Sequence, residues 1–230
     1  SLFTAGMVGV VASDELFGLF VFWEITTIAS YLLIGFDDEK AESRSAALQA
    51  ILVTTLGGLA MLAGFVLMAM EAGTTRISTI VADPPSGTMV AVALILIFLG
   101  AFTKSAQFPF HFCLPGAMAA PTPASAYLHS ATMVKAGIVL LLLLAPGFAD
   151  TSLWLWVVTA TGLVTMALGA LTAIRQRDLK LLLAYGTVSQ LGFMTALIGL
   201  GFTAAALAVL VAHSLFKAAL FLIVGIVDKS

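Results

Sequence analysis

Several ionisable side chains stand inside runs of apolar residues. Glu24 lies in "LFVFWEITTIAS", Lys104 in "FLGAFTKSAQFPF", His129 and Lys135 in "SAYLHSATMVKAG", and His213 and Lys217 in "LVAHSLFKAALFL". In a membrane, a lysine or carboxylate at the centre of a spanning helix costs roughly 2.5–3.5 kcal/mol, so such groups face the bundle interior and mark ion or proton paths. Low dielectric favours a neutral amine, and a nearby carboxylate favours the charged one. Imidazole titrates near neutral pH. A row of such groups, joined by water, has the parts of a proton relay. His213 and Lys217 are four apart and share one helix face. His129 and Lys135 are six apart and meet different neighbours. Lys180 stands beside Arg175, Arg177 and Asp178, so it reads either as a relay member or as an interfacial anchor. The plainer alternatives are a Lys–Glu pair that only registers helices and a histidine that is only a hydrogen-bonded core residue.

Pro109 belongs to the same chemistry. It has no N–H, so the carbonyl of Ser105 loses its helical donor. Phe108 is pushed away from helical dihedrals. A broken helix at membrane depth is tolerated where the freed groups are buried in protein or meet water. Ser105, Pro109 and the neighbouring Gln107 therefore predict a polar pocket beside Lys104. The following "CLPGAMAAPTPAS" reads as a re-entry turn, with Thr122 capping the next helix and Pro123 at its first position.

The elements that must carry these groups follow from composition. The chain has 230 residues, 61% hydrophobic and 10% charged. Soluble domains carry about 25% charged residues, so this is an integral membrane protein of all-α class, a polytopic helical bundle. The net charge of −2 and the lack of a basic tract exclude nucleic acid as a partner. Cys113 is the only cysteine, which excludes an intrachain disulfide and a cysteine metal cluster. Neither a cofactor nor a metal is expected. One partial apolar run, Leu2–Ala12, precedes seven fuller ones: Leu16–Phe36, Ala46–Met70, Met89–Phe112 (broken near Pro109), Ala124–Ala145, Leu153–Ile174, Leu179–Leu200 and Ala204–Val227. The chain opens inside an apolar run and its last run stops just before Ser230, so it reads as an internal piece of a longer protein. Alternate loops divide sharply in charge. One set holds only Arg76; the other holds Lys40, Arg44, Arg175, Arg177 and Lys229, with Lys180 at its edge. The positive-inside rule places the second set in the cytoplasm.

The stretches "FWEITTIASYLLIGF", "FTKSAQFPFHFCLPGAMAAPTPASAYLHSATMVKAG", "RDLKLLLAYGTVSQLGFM" and "AHSLFKAALFL" together resemble the antiporter-like subunits of respiratory complex I and of Mrp-type multisubunit cation/proton antiporters. "FPFHF", "SAYLHSATMVKAG" and the opening "SLFTAGMVGVVASDELFGLFVFWE" favour the large A-type subunits of the Mrp group. Two positions depart from that pattern: Cys113 stands where an aromatic is usual, and Ala119 where a polar or acidic residue is common. The resemblance implies inverted five-helix repeats, each with one broken helix. Residues 1–145 would form the first repeat and 146–230 the start of the second. It also implies roles: Glu24 as the carboxylate partner of Lys104, His129 and Lys135 as the connecting pair, and Lys180, His213 and Lys217 as the start of the second half-channel.

The function expected is proton translocation by a transmembrane subunit of a multisubunit Na⁺/H⁺ antiporter, a secondary transporter rather than an enzyme, set in a bacterial plasma membrane. Its partners would be the lipid bilayer, the other subunits, protons, and Na⁺ or another monovalent cation. A rival reading is the matching proton-pumping subunit of complex I or of a membrane-bound hydrogenase. A haem-binding membrane cytochrome, with His129 and His213 as axial ligands, is a remote third that leaves the lysines unexplained.

Overall fold

The computed structural model describes residues 2–37, 39–119 and 125–227, with backbone alone for Ala119, His129, Ser130 and Ala131. The described chain is helical throughout. The helices are α1 (Leu2–Ala12), α2 (Leu16–Ile34), α3 (Ala41–Ala72), α4 (Ile77–Ala82), α5 (Thr88–Lys104), α6 (Cys113–Gly116), α7 (Ala136–Phe148), α8 (Ser152–Ile174), α9 (Leu179–Gly199) and α10 (Thr203–Val227). Side-chain caps start three of them. Glu15 accepts from Gly18 N at 2.5 Å, Thr151 from Trp154 N at 3.3 Å, and Asp178 from Leu181 N at 2.9 Å. Each satisfies an N–H that the first turn leaves open.

Three expected spans differ in the structure. The third begins at Ala41 instead of Ala46 and runs for 32 residues, about 48 Å at 1.5 Å per residue. The apolar window marked only the hydrophobic part; Glu42 and Arg44 are good helix formers and extend the helix beyond it. The fourth ends at Lys104, well short of Phe112. The chain leaves the helix before Pro109, through Ala106 at φ 49°, and the Phe108–Pro109 peptide is cis. The fifth is not one helix. A π turn over Ala126–Ala131 and a 3₁₀ turn over Met133–Lys135 flank Thr132, whose φ and ψ are −136° and −78°. The Thr132 hydroxyl donates to Tyr127 O at 2.8 Å, a local bond that competes with helical pairing. Thr122 and Pro123, expected to open this span, lie outside the described residues.

Small residues set the packing, as they do where lipid offers no hydrophobic drive. In α3 and α5, a Cβ added at Gly64 would lie 2.7 Å from Ala93 O, and one at Gly100 would lie 2.9 Å from Gly57 O. In α8 and α9, a Cβ at Gly169 would lie 2.6 Å from Ser189 N, and one at Gly199 would lie 2.6 Å from Thr159 N. Elsewhere α1 packs on α2, α2 on α3, and α10 on α9, on α7 and on the π turn.

The helices alternate in direction. At one face the turn before α2 pairs with the turn before α4. Leu16 N donates to Thr75 O at 3.0 Å and Ile77 N to Asp14 O at 3.0 Å. Ser78 donates its hydroxyl to Asp14 Oδ2 at 2.6 Å and its N–H to Oδ1 at 2.8 Å. These bonds hold the Asp14 carboxyl below the usual carboxylate range. Gly147, near the end of α7, packs on Val81 beside them. At the opposite face, Glu42, Gly116, Asp178 and Lys180 line one cleft of about 310 Å³. The chain from Thr88 to Gly116 thus runs from one of these faces to the other, in line with the single crossing that the charge asymmetry of the loops assumes. The loop holding Arg175 and Arg177 is expected to face the cytoplasm. In a Cys113→Ser background, Gln176→Cys should react with a membrane-impermeant thiol reagent in everted vesicles and stay unlabelled in intact cells; the reverse pattern would invert the topology.

Candidate functional site: a buried row of cationic side chains

The row begins where α5 stops. Lys104 is its last residue and is 2% exposed. The Lys104 ammonium donates to Thr27 Oγ1 at 2.7 Å and to Trp23 O at 3.1 Å, both on α2. It also sits 5.0 Å from the centroid of the Trp23 ring, within the range of a cation–π contact. The Thr27 hydroxyl donates its own proton to Trp23 O at 3.2 Å, which leaves its lone pairs for the lysine. Lys104 therefore rests in a neutral cradle of a hydroxyl, a carbonyl and an indole face. An ion pair does form between Lys40 and Asp37, at the surface; there the Asp37 carboxylate raises the Lys40 ammonium above the usual lysine range.

Glu24 is next to Trp23 in sequence but is not bonded to Lys104. Its Oε1 is buried without a hydrogen-bond partner and packs over Gly58 of α3, where a Cβ would collide with it. An unpaired carboxylate oxygen in a buried place is costly. The two groups that sequence reading paired are thus neighbours held apart. Trp23, Thr27 and Gly58 were not singled out from sequence. Thr27 carried a usable signal: it lies one turn beyond Trp23 and Glu24 in "WEITT", so it shares their helix face.

After Lys104 the break is largely self-satisfied. The Ser105 carbonyl, freed as Pro109 demands, accepts from the side-chain amide of Gln107 at 2.9 Å. Ser105 Oγ and Gln107 Oε1 remain buried and without partners. Gly137, at the start of α7, fits against Ala101 O and Ser105 Oγ, with no room for a Cβ. A cavity of about 20 Å³ lies between Lys104, Thr103, Thr54, Ala106, Cys113 and Val134. That volume is enough for one water. The two interruptions, in the fourth and fifth spans, therefore pack against each other, with Lys104 on one and Lys135 on the other.

Lys135 is 2% exposed and its ammonium has no hydrogen-bond partner among the described residues. The side chain of His129 lies outside the described residues, so its expected link to Lys135 does too. His213 is 0% exposed with neither ring nitrogen bonded to a described residue, and its ring meets Phe216 edge-on at 5.3 Å. Lys135 and Lys217 both lie within electrostatic reach of it. Lys217, 5% exposed, turns toward α9, where a Cβ at Gly186 would lie 3.0 Å from its Nζ. α10 buries few side chains, and His213 and Lys217 are two of them. A histidine and a lysine on the narrow inner face of a spanning helix are costly to bury and make candidates for a functional role.

Lys180 stands apart from this row. It is half-buried in the first turn of α9 and lines the surface cleft with Glu42 and Asp178. Six residues, about 9 Å along the helix axis, separate it from Gly186, the level of the Lys217 ammonium. The structure therefore puts it at the mouth of the bundle. No three of the described His, Cys, Asp and Glu residues converge as a metal site.

Comparison with known proteins gives a consistent picture. The family model described as "NADH:quinone oxidoreductase/Mrp antiporter, TM" matches residues 13–230. The A-type subunit of a Na(+)/H(+) antiporter from Alkalihalophilus pseudofirmus is 47% identical over 99% of this chain and 31% of its own length. The probable A/B-type subunit of a K(+)/H(+) antiporter from Rhizobium meliloti is 49% identical over 98% of this chain and 23% of its own length. The chain thus spans about a quarter to a third of these curated relatives. Among solved structures, the Mrp complex from Dietzia sp. DQ12-45-1b superposes with a TM-score of 0.94 at 46% identity, covering 99% of this chain and 26% of the other. The membrane-bound sulfane sulfur reductase, an archaeal respiratory membrane complex, gives a TM-score of 0.87 at 28% identity, covering 98% and 48%.

Proposed function

The chain belongs to the NADH:quinone oxidoreductase/Mrp antiporter transmembrane family, and on that premise we propose that it carries protons within an A-type subunit of a multisubunit cation/proton antiporter. One observation carries the reading: Lys104, Lys135, His213 and Lys217 are all buried inside the bundle, and the two broken spans that hold the first two lysines pack against each other. Protons enter from the cleft at Lys180 and reach Lys104 past Cys113 through the water-sized cavity. Glu24 exchanges with the Trp23–Thr27 cradle for the Lys104 ammonium. A proton released there passes through water at Ser105 and Gln107 to Lys135, with His129 alongside, and on to His213 and Lys217. Each step moves one proton between an ammonium or imidazolium and a neutral neighbour, so charge is conserved along the row. Residues 1–145 form the first repeat in this reading, and 146–230 open the second.

The exchanged cation is monovalent, Na⁺ or K⁺ as the relatives' names differ, and the other subunits are the partners. Antiport in everted vesicles of the full complex, with Na⁺, Li⁺ and K⁺ compared, tests this. Cation-dependent collapse of an imposed proton gradient is expected, and Lys104→Ala should slow it by about two orders of magnitude. The likeness to a respiratory complex favours one other reading, a redox-driven pump. Proton movement that follows an electron donor and ignores all three cations would establish that reading instead.

A further inference from the structure

The broken turn after Lys104 has to place each of its backbone donors. Ser105 N donates to Ala101 O at 2.9 Å, Gln107 N to Phe102 O at 2.9 Å, and Phe110 N to Gln107 O at 2.6 Å. Pro109 has no N–H to place. Phe108 differs from these. Its N–H donates to Thr165 Oγ1 at 2.9 Å, and Thr165 is on α8, 57 residues away in sequence. Thr165 is 0% exposed and its hydroxyl donates in turn to Thr161 O at 2.7 Å. That hydroxyl has one proton, spent within its own helix, so toward Phe108 it acts only as an acceptor. The described backbone bonds of the break are thus internal except for this one, which comes from the helix opening the second unit.

We infer that Thr165 is a positioning residue for proton transfer at Lys104: it clamps the break from the second unit and fixes the path that Ser105 and Gln107 offer from Lys104 toward Lys135. The inference rests on the proton-path reading above and adds a residue to it. Thr165 touches none of the ionisable groups of the row. It acts through the backbone of Phe108, three residues beyond Ser105, and so ties the shape of the break to the placement of α8. Any shift of α8 along its axis would pull on the segment that carries Lys104. This gives the second half of the row a mechanical route to the first that needs no charged contact.

The test uses the full complex with Thr165→Val, which keeps the shape and removes the acceptor, and Thr165→Ser, which keeps the acceptor. Two readouts are compared: cation/proton exchange across pH in everted vesicles, and hydrogen–deuterium exchange of the peptide spanning 105–112 in the assembled complex. In Thr165→Val the 105–112 amides should exchange faster and transport should fall about tenfold, with the pH profile displaced, as expected when a partly buried donor loses its acceptor. Thr165→Ser should stay within about twofold of the parent on both. Unchanged amide exchange in Thr165→Val would overturn the inference, as would faster exchange with normal transport, or a serine variant as impaired as the valine one. Lys104→Ala, run in parallel, separates the two claims. Normal transport in that variant would sink the proton-path reading, while the amide exchange would still decide whether Thr165 holds the break.

Discussion

Lys135→Ala should assemble normally and lose exchange by roughly two orders of magnitude, the scale of a missing proton-transfer group. Among the described residues the ammonium has no hydrogen-bond partner, and it is nearly sealed from solvent, so the fold gains little from it; an unpaired charge held out of water costs stability. Removing it relieves that cost, and the complex should resist heat or detergent at least as well as the parent. What is lost is the stepping stone between the break in α5 and the pair on α10. Lys135→Arg separates fixed charge from exchangeable proton. Guanidinium keeps its proton at any pH the cell meets, so the arginine variant should stay below about a tenth of parental exchange. The measurement is antiport rate in everted vesicles, normalised to complex quantified by blot. Full exchange in the arginine variant would mean that position 135 supplies only a static field.

The sequence made some of this arrangement legible and concealed the rest, for physical reasons. Spans were readable because lipid demands long apolar runs. The break after Lys104 was readable because Pro109 announces it, although it starts earlier, at Ser105. The break at Thr132 was not: "SAYLHSATMVKAG" has helix-compatible residues throughout, and neither a proline nor an inward glycine marks the turn. The π turn packs against α10 and the 3₁₀ turn against α5, contacts between distant parts of the chain that no local pattern announces. The cationic row was visible because charge is conspicuous in an apolar chain. Its neutral surroundings were not, since a carbonyl at Trp23 carries no signal until the fold brings it to a lysine, nor a threonine in "TATGLVTMALG" until the fold brings it to the N–H of Phe108. The family resemblance pointed to Glu24 for Lys104, and the structure bonds Lys104 to Thr27 and Trp23.

That separation sharpens what Glu24 and Lys104 should do when altered. Trp23 and Thr27 flank Glu24 on one helix, so a lysine side chain of fixed origin has two neighbouring places to go. In the cradle it meets a hydroxyl and a carbonyl. At Glu24 it would meet a carboxylate whose Oε1 is now unpaired above Gly58. A carboxylate holds an ammonium proton more firmly than neutral oxygens do, so movement between the two places alternately binds and frees it. Either partner alone cannot alternate. Glu24→Ala and Lys104→Ala should each reduce exchange by about two orders of magnitude, and the double variant should be little worse than either, because both changes remove one coupled element. Thr27→Val should do less, about tenfold or under, since it removes one hydrogen bond from the cradle and leaves the carboxylate in place. The measurement is a double-mutant cycle of antiport rate in assembled complex. Should Glu24→Ala keep near-parental exchange, or should the two losses simply add in free energy, the alternation is absent and Lys104 works from its cradle alone.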